Sequence, residues 1–319
     1  MPIALAGTPW SGSNQSPAYG GATPSTNIFI PELWSSKIIE KFYSATVLAA
    51  IANTDYQGEI QNYGDTVHIR TKPTITIRAY TVNQDLVVDR PSSNMVDLLI
   101  NNAYYFNEAL DDVMEVQADL NLLSMWSDDA AEQLKIVIDT QVLGTIDAGV
   151  AAANKGATAG RLSGNLNLGV AGTPLALTAA NVLDAIVDMG TVLDEQNIPE
   201  TGRWLVMPPW LCGLIKKSDL RNASISGDGV SLMRNGKLGM IDRFTLYASN
   251  LLPTAVEGAA TATRVFGGHP HGLTFASQIT KTETIRSERS FSNMLRGLQV
   301  YGSKVLDGIA ITELYAVRG

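Results

Sequence analysis

The sequence predicts an α+β protein, and three observations carry that prediction. Residues 66–70 and 74–78 alternate polar and apolar side chains, which is typical of half-buried strands. Apolar residues then recur at helical spacing from Val113 to Val142, opposite a face rich in Asp and Glu. Beyond Thr178, short apolar strands alternate with amphipathic helices, so the last half of the chain has an α/β texture.

The composition favours a protein that covers much of its surface with partners. Charged residues make up 17% of the chain, below the roughly 25% of ordinary domains, and charge is depleted at interface cores. The net charge of −8 argues against a dedicated nucleic-acid binder. The single cysteine, Cys212, fits a reducing compartment. We expect no membrane partner and no signal peptide, because no apolar run approaches the ~20 residues that span a bilayer.

The N-terminal region predicts an arm followed by a helix. Residues 1–31 are rich in Gly, Ser, Pro and Thr, so we expect an arm that is disordered or ordered only against a neighbour. Residues 32–53 predict a helix that begins near Pro31, where a missing N–H costs nothing, and ends near Ala52. Its apolar stripe is formed by Leu33, Ile38, Phe42 and Ala45.

Residues 54–92 predict an exposed two-stranded hairpin, the extended loop, with Lys72-Pro73 between its strands. Two strands alone are marginally stable in water, so such a hairpin gains stability by lying on another molecule. We therefore place the contacts between subunits on the arm and this loop. The residues predicted to make them are Trp10, Tyr19, Tyr63, His68, Arg70, Lys72, Arg78 and Tyr80.

The rest of the chain predicts a compact mixed region. We expect a strand over 95–105, a long helix with a break or kink near Ser127, and a Gly- and Ala-rich loop over 149–177. Further helices are expected over 179–196 and up to Lys217, with strands at 204–207, 244–248, 264–266 and 273–277. Residues 298–302 and 309–317 predict a terminal pair of antiparallel strands.

A search for chemistry predicts no catalytic, cofactor-binding or metal site. Gly227-Asp228-Gly229 lacks a third glycine at the required spacing, and Gly236-Lys237 lacks the Ser or Thr of a phosphate-binding loop. Cys212 lies among apolar residues of a predicted helix, which favours a buried hydrophobe over a nucleophile.

The histidines and the acidic doublets do not form a site either. His269-Pro270-His271, with His68 as the only other histidine, would still need a carboxylate to complete a zinc site. Asp111-Asp112 and Asp128-Asp129 are neighbours in a predicted helix, where side chains point about 100° apart and cannot converge on one substrate. We therefore expect a solvated acidic face.

The order of these parts is more informative than any one of them: arm, short helix, polar hairpin, strand, long acidic helix, α/β region and terminal strands. Short runs match a family at each point, and their order makes the match specific. The runs are Ile30-Pro31-Glu32-Leu33-Trp34, Gly64-Asp65-Thr66-Val67, residues 106–117, residues 203–209 and residues 297–306. The chain thus resembles the major capsid proteins of tailed bacteriophages, which have the Hong Kong 97 type fold.

This resemblance implies a domain division and a set of partners. It implies a peripheral domain of residues 93–150 and 285–319, with a long spine helix, and an α/β axial domain of residues 151–284. It also implies a virion protein that self-assembles in the host cytoplasm into pentameric and hexameric capsomers of an icosahedral shell around double-stranded DNA, which it contacts non-specifically. A separate scaffolding protein, a portal and a decoration protein would be its partners.

Two alternatives share parts of this pattern. An encapsulin-like nanocompartment has the same architecture but encloses an enzyme, so the contents of the particle distinguish it. An α/β enzyme with an unrecognised site would run as a small oligomer in size-exclusion chromatography.

Overall fold

The computed structural model describes residues 43–55, 66–73, 75–93, 95–117, 122–218, 239–258 and 260–319. These residues belong to one compact unit, residues 42–319, while residues 1–41 are grouped separately and lie outside the described part. The predicted arm and the first part of the predicted N-terminal helix therefore fall outside it.

The first described helix is short. Helix α1 spans Leu48–Ile51, and residues 43–47 belong to no helix, so the predicted helix over 32–53 is wrong for those five positions. The reason is tertiary: the amides of Val47 and Leu48 donate to the Asp139 carboxylate, at 2.9 and 3.0 Å, and the helix starts at this cap.

The predicted hairpin has a different pairing from the one expected. Strand β1 (Thr66–Arg70) pairs antiparallel with β2 (Met95–Leu99), and Arg70 lies opposite Met95. Residues 75–78 form no strand, so the prediction of a strand over 74–78 is wrong there. Pro73 cannot donate a hydrogen bond to a strand ladder, and the partner of β1 comes from further along the chain.

A second sheet follows directly. The predicted strand over 95–105 is divided, because β2 ends at Leu99 and β3 (Asn102–Asp111) joins another sheet. In that sheet β11 (Ser292–Val305) lies between β10 (Leu273–Arg286) and β3, and every pairing is antiparallel.

The predicted long helix is present in two described segments, and its predicted break is absent from them. Helix α2 spans Asp112–Gln117 and α3 spans Leu122–Gly149, so the break near Ser127 is wrong because α3 runs through that residue. Residues 118–121, between the two helices, lie outside the described part.

The largest sheet in the described residues has seven strands. They are β4 (Leu175–Leu177), β5 (Arg203–Met207), β6 (Met240–Ile241), β7 (Phe244–Ala248), β8 (Thr254–Glu257), β9 (Ala260–Gly268) and β12 (Ile311–Arg318). Their order is β4-β12-β9-β5-β7-β6, with β8 paired to β9. The pairs β5–β7 and β12–β4 are parallel, and the other pairs are antiparallel.

Both predicted terminal strands are present, but the prediction that they pair with each other is wrong. Strand β11 pairs with β10 and β3, whereas β12 pairs with β9 and β4 in the seven-stranded sheet. Six consecutive residues of β12 are buried, which requires cover on both faces and suits a strand inside a large sheet. The division into peripheral and axial domains stays a prediction, although residues 311–318 share a sheet with residues 203–207.

Two apolar cores lie on opposite faces of the seven-stranded sheet. Helices α4 (Val182–Glu195) and α5 (Pro209–Lys217) pack on the face that carries Leu205 and Met207. Helices α1 and α3 pack with Trp204 and Val206, the alternate residues of the same strand. The large sheet is thus covered on both faces, whereas the β1–β2 region packs on β10 and β11 of the three-stranded sheet.

Candidate assembly surfaces

The connection between β1 and β2 is the most exposed part of the described chain. Residues 71–73 and 75–93, which we call the β1–β2 segment, belong to no helix or strand, and all of them are exposed. Large apolar side chains are exposed along it, including Ile77 (88%), Val82 (85%) and Val88 (84%). Clustered exposed apolar residues mark interaction surfaces, because a soluble monomer gains nothing from them.

The base of this segment is held firmly. Leu98, Ile100 and Ala276 form a small buried core against which Val67, Ile69 and Val300 pack. Gly302 allows the close approach, since a Cβ there would lie 2.3 Å from the backbone oxygen of Leu99. The segment therefore projects from a fixed support.

Five of the predicted contact residues lie on β1 or on the β1–β2 segment. His68 lies opposite Asp97, with 2.6 Å between Nδ1 and Oδ1, and Arg78 bonds Asp89 at 3.0 Å. Arg70, Lys72 and Tyr80 are exposed. These exposed ion pairs contribute little to stability. Trp10, Tyr19 and Tyr63 lie outside the described residues.

Sequence reasoning missed the apolar half of this surface. Ile75 and Ile77 were predicted to lie on a half-buried strand, and no prediction covered the run Leu86-Val87-Val88, yet all five side chains are exposed. Two features of the sequence could have indicated this exposure: Ile75 and Ile77 closely follow Pro73, and Leu86-Val87-Val88 lie within a polar loop.

A second exposed apolar surface lies at the tip of the β10–β11 hairpin. Phe291 (84% exposed) lies beside α2, whose Val113, Met114 and Val116 are also exposed. The amide of Asp112 donates to the Phe291 carbonyl at 3.0 Å, and Arg286 forms two bonds with the Asp112 carboxylate. We call these four apolar residues the tip patch.

A groove of about 420 Å³ lies between β3 and α3, lined by Tyr104, Trp126, Asp129 and Leu134 among others. The Tyr43 hydroxyl donates to Asp129 Oδ1 at 2.7 Å, so the described chain begins at the edge of this groove. The hydrogen bond with Asp129 raises the pKa of Tyr43.

The residues considered for chemistry have structural roles. Burial raises the pKa of the Cys212 thiol, which disfavours the thiolate. His269 Nδ1 accepts the amide of His271, and burial lowers the pKa of His269. Among the described residues, no group of three or more His, Cys, Asp or Glu is arranged to hold a metal ion. No described helix is both long enough and apolar enough to cross a bilayer.

A segment that exposes apolar side chains beyond a fixed base is typical of the class of proteins that function by binding other protein surfaces. Comparison with protein families agrees: residues 104–314 match the family model described as phage capsid protein, about two thirds of the chain. The chain belongs to the phage capsid protein family.

Solved structures support the same fold. A chain titled Mycobacterium phage Che8 superposes with a TM-score of 0.75 at 26% identity, covering 91% of this chain and 98% of that one. The capsid structure of cyanophage P-SCSP1u superposes with a TM-score of 0.71 at 16% identity, covering 92% of this chain and 94% of that one. The mature capsid of bacteriophage PhiM1 superposes with a TM-score of 0.67 at 16% identity, covering 98% of this chain and 99% of that one. No curated protein matches the chain in sequence.

The α+β capsid fold expected from the sequence is therefore confirmed. The chain is a structural, major capsid protein that oligomerises to form the head shell, and its place is the virion capsid.

Proposed function

We propose that the chain assembles, without catalysing a reaction, into an icosahedral shell of pentameric and hexameric capsomers around double-stranded DNA. The arm and the β1–β2 segment carry the contacts between subunits. The observation that supports this assignment is the row of exposed apolar side chains on the β1–β2 segment. Each interface is modest, but closure of a shell multiplies the interfaces and makes the particle stable.

The charges of the segment fit a partner surface as well as its apolar residues do. Lys72 and Arg90 are exposed cations, whereas the outer face of α3 carries the exposed Asp128 and the half-buried Glu132, which pairs with Lys135. Complementary charges steer subunits into one orientation, and apolar burial then supplies most of the affinity. The tip patch supplies a further apolar surface for contact between copies.

The remaining partners follow from the family. We propose assembly in the host cytoplasm with a separate scaffolding protein, incorporation of a portal, and attachment of a decoration protein. The net charge of −8 fits packaged DNA that touches the shell only non-specifically.

The decisive variant removes the segment and keeps its support. Since Arg70 and Met95 are directly opposite, residues 71–94 can be replaced by Asn-Gly, which joins two antiparallel strands in a tight turn. The expected product is a folded subunit, by circular dichroism, that forms no shells in electron microscopy. Normal shells from this variant would refute the assignment.

A milder variant separates the apolar contacts from the length of the segment. Ile77→Ser, Val82→Ser and Val88→Ser together should abolish or strongly slow assembly, because they remove exposed apolar area and no internal contact. The matched control is Thr76→Ser with Asp85→Asn on the same segment, which should assemble normally. Light scattering follows the assembly of both variants.

A separate experiment tests what the particle encloses. Nuclease-protected DNA in wild-type particles distinguishes a genome shell from a compartment with protein cargo.

A further inference from the structure

Four charged side chains meet where the end of α3 reaches the seven-stranded sheet. Asp147 lies in the last turn of α3, and Lys155 follows the 3₁₀ turn Ala152–Asn154. Arg264 lies on β9 and Glu313 on the neighbouring strand β12. We call these four residues the junction cluster.

The Asp147 carboxylate is paired with both cations of the cluster, Lys155 and Arg264. Lys155 Nζ donates to Asp147 Oδ1 at 2.8 Å and to the Asp147 carbonyl at 2.7 Å, one of the free carbonyls at a helix end. Arg264 Nη1 lies 2.8 Å from Asp147 Oδ2. Both oxygens of the Asp147 carboxylate therefore already have a cationic partner.

Glu313 is less well satisfied. Its side chain is only 3% exposed, and Arg264 bonds its Oε1. Its Oε2 receives no hydrogen bond from a described group and lies 3.9 Å from Lys155 Nζ. A buried carboxylate oxygen without a donor is costly. Arg264 Nη1 contacts both Glu313 Oε1 and Asp147 Oδ2, so the two carboxyl groups lie close together, and like charges at such close range favour a proton on one of them.

We propose that Glu313 and Asp147 share one proton, and that this proton closes a pH-responsive joint between the end of α3 and the seven-stranded sheet. With the proton present, Glu313 donates to Asp147 and its buried charge is removed. Without it, two carboxylates face each other and one buried oxygen lacks a donor, so the joint opens more readily.

The surrounding groups do not replace this proton. Arg264 lies over the Tyr315 ring, 5.2 Å from its centre, and the Tyr315 hydroxyl donates to Glu257 on β8 at 2.8 Å. The carboxylate of Glu257 also accepts the Gly172 amide at 3.0 Å. These bonds with Gly172 and Tyr315 lower the pKa of Glu257, so Glu257 stays charged at neutral pH. Neither Tyr315 nor Glu257 donates to Glu313.

The position of the transition follows from the same contacts. Burial, then the hydrogen bond with Asp147, raises the pKa of Glu313 to about 7, although Arg264 opposes the shift. A carboxyl whose pKa is raised in the fold stabilises the closed form below its ordinary pKa and loses that contribution as pH rises through the folded value. For a shift from 4.5 to about 7, the opening equilibrium should rise roughly tenfold between pH 6 and pH 8.

The test is hydrogen exchange of the purified full-length subunit at pH 6 and pH 8, corrected for intrinsic exchange rates. Amides in residues 140–155 and 308–319 should show that rise in opening. Glu313→Gln, which mimics the protonated side chain, should abolish it. The matched control is Glu257→Gln, which removes a nearby carboxylate that stays charged in this range and should keep the wild-type response.

Two results would overturn the proposal. One is a pH response in Glu313→Gln equal to that of the wild type. The other is a Glu313 carboxyl ¹³C resonance in the wild-type protein that titrates near its ordinary value. The second measurement needs no variant, so it decides the matter even if Glu313→Gln does not fold.

Discussion

Asp139 holds the first described helix onto α3, and its removal makes the sharpest stability prediction. The side chain is 1% exposed and accepts the amides of Val47 and Leu48. Val47, Leu48 and Ile51 are buried against Ile138 and neighbouring residues of α3. The carboxylate therefore caps α1 from another helix and fixes where residues 43–53 lie.

The expected cost follows from the two amides. Asp139→Ala leaves both buried donors without an acceptor, at about 1–3 kcal/mol each. Burial raises the pKa of Asp139, against the opposing effect of the two amides, so removing the charge recovers part of that cost. We expect a net loss of about 2–4 kcal/mol for Asp139→Ala. Asp139→Asn keeps one acceptor oxygen and buries no charge, but it turns an NH2 group toward the second amide, so it should lose about 1–3 kcal/mol and less than Asp139→Ala.

The assay is urea unfolding of the subunit, combined with limited proteolysis within residues 43–55. Asp128→Ala is the matched control, because Asp128 is an exposed carboxylate on the same helix, and it should change stability by less than about 0.5 kcal/mol. Since folding raises the pKa of Asp139, its contribution is largest below the ordinary pKa and falls as pH rises through the folded value; Asp139→Asn should remove that dependence. Equal stability of the two alanine variants would refute the capping argument.

Three further changes test the packing. Gly302→Ala should destabilise the base of the β1–β2 segment and lower the urea midpoint, because its Cβ meets the Leu99 backbone. Gly144→Ala, with open space around it on α3, should instead stabilise by about 0.5–1 kcal/mol, and a lower midpoint would contradict this. Ile51→Ala removes a fully buried side chain and should cost about 2–5 kcal/mol in the same assay, and an unchanged urea midpoint would contradict this.

The elements that sequence predicted best are those whose pattern has one interpretation. The strand at 244–248 and the helix that ends at Lys217 were confirmed at their predicted bounds, since short apolar runs flanked by Pro or turn residues leave few alternatives. Residues 66–70 alternate as a strand and form one, but residues 75–78 alternate equally and form none. A strand needs a partner, and periodicity does not name the partner.

The position of the exposed β1–β2 segment was predicted from the sequence, and its role in contacts between subunits stays a prediction. Periodicity and turn residues located the loop that leaves the sheet, and Arg70, Lys72, Arg78 and Tyr80 are exposed there. The contact residues predicted there are charged or aromatic, whereas the structure also exposes the aliphatic Ile77, Val82 and Val88. Burial depends on which elements pack nearby, and no element of the described chain covers this segment.

The sequence by itself determined the α+β class, the order of the elements and the family resemblance, because local patterning and turn chemistry are encoded over a few neighbouring residues. Only the tertiary structure decided that β12 lies inside the seven-stranded sheet, that Asp139 caps a helix far along the chain, and that Glu313 is buried beside Asp147. Each of these features depends on contacts between residues that are distant in sequence. The free energy of burial that stabilises such contacts depends on which elements pack together, and local patterning does not encode that choice.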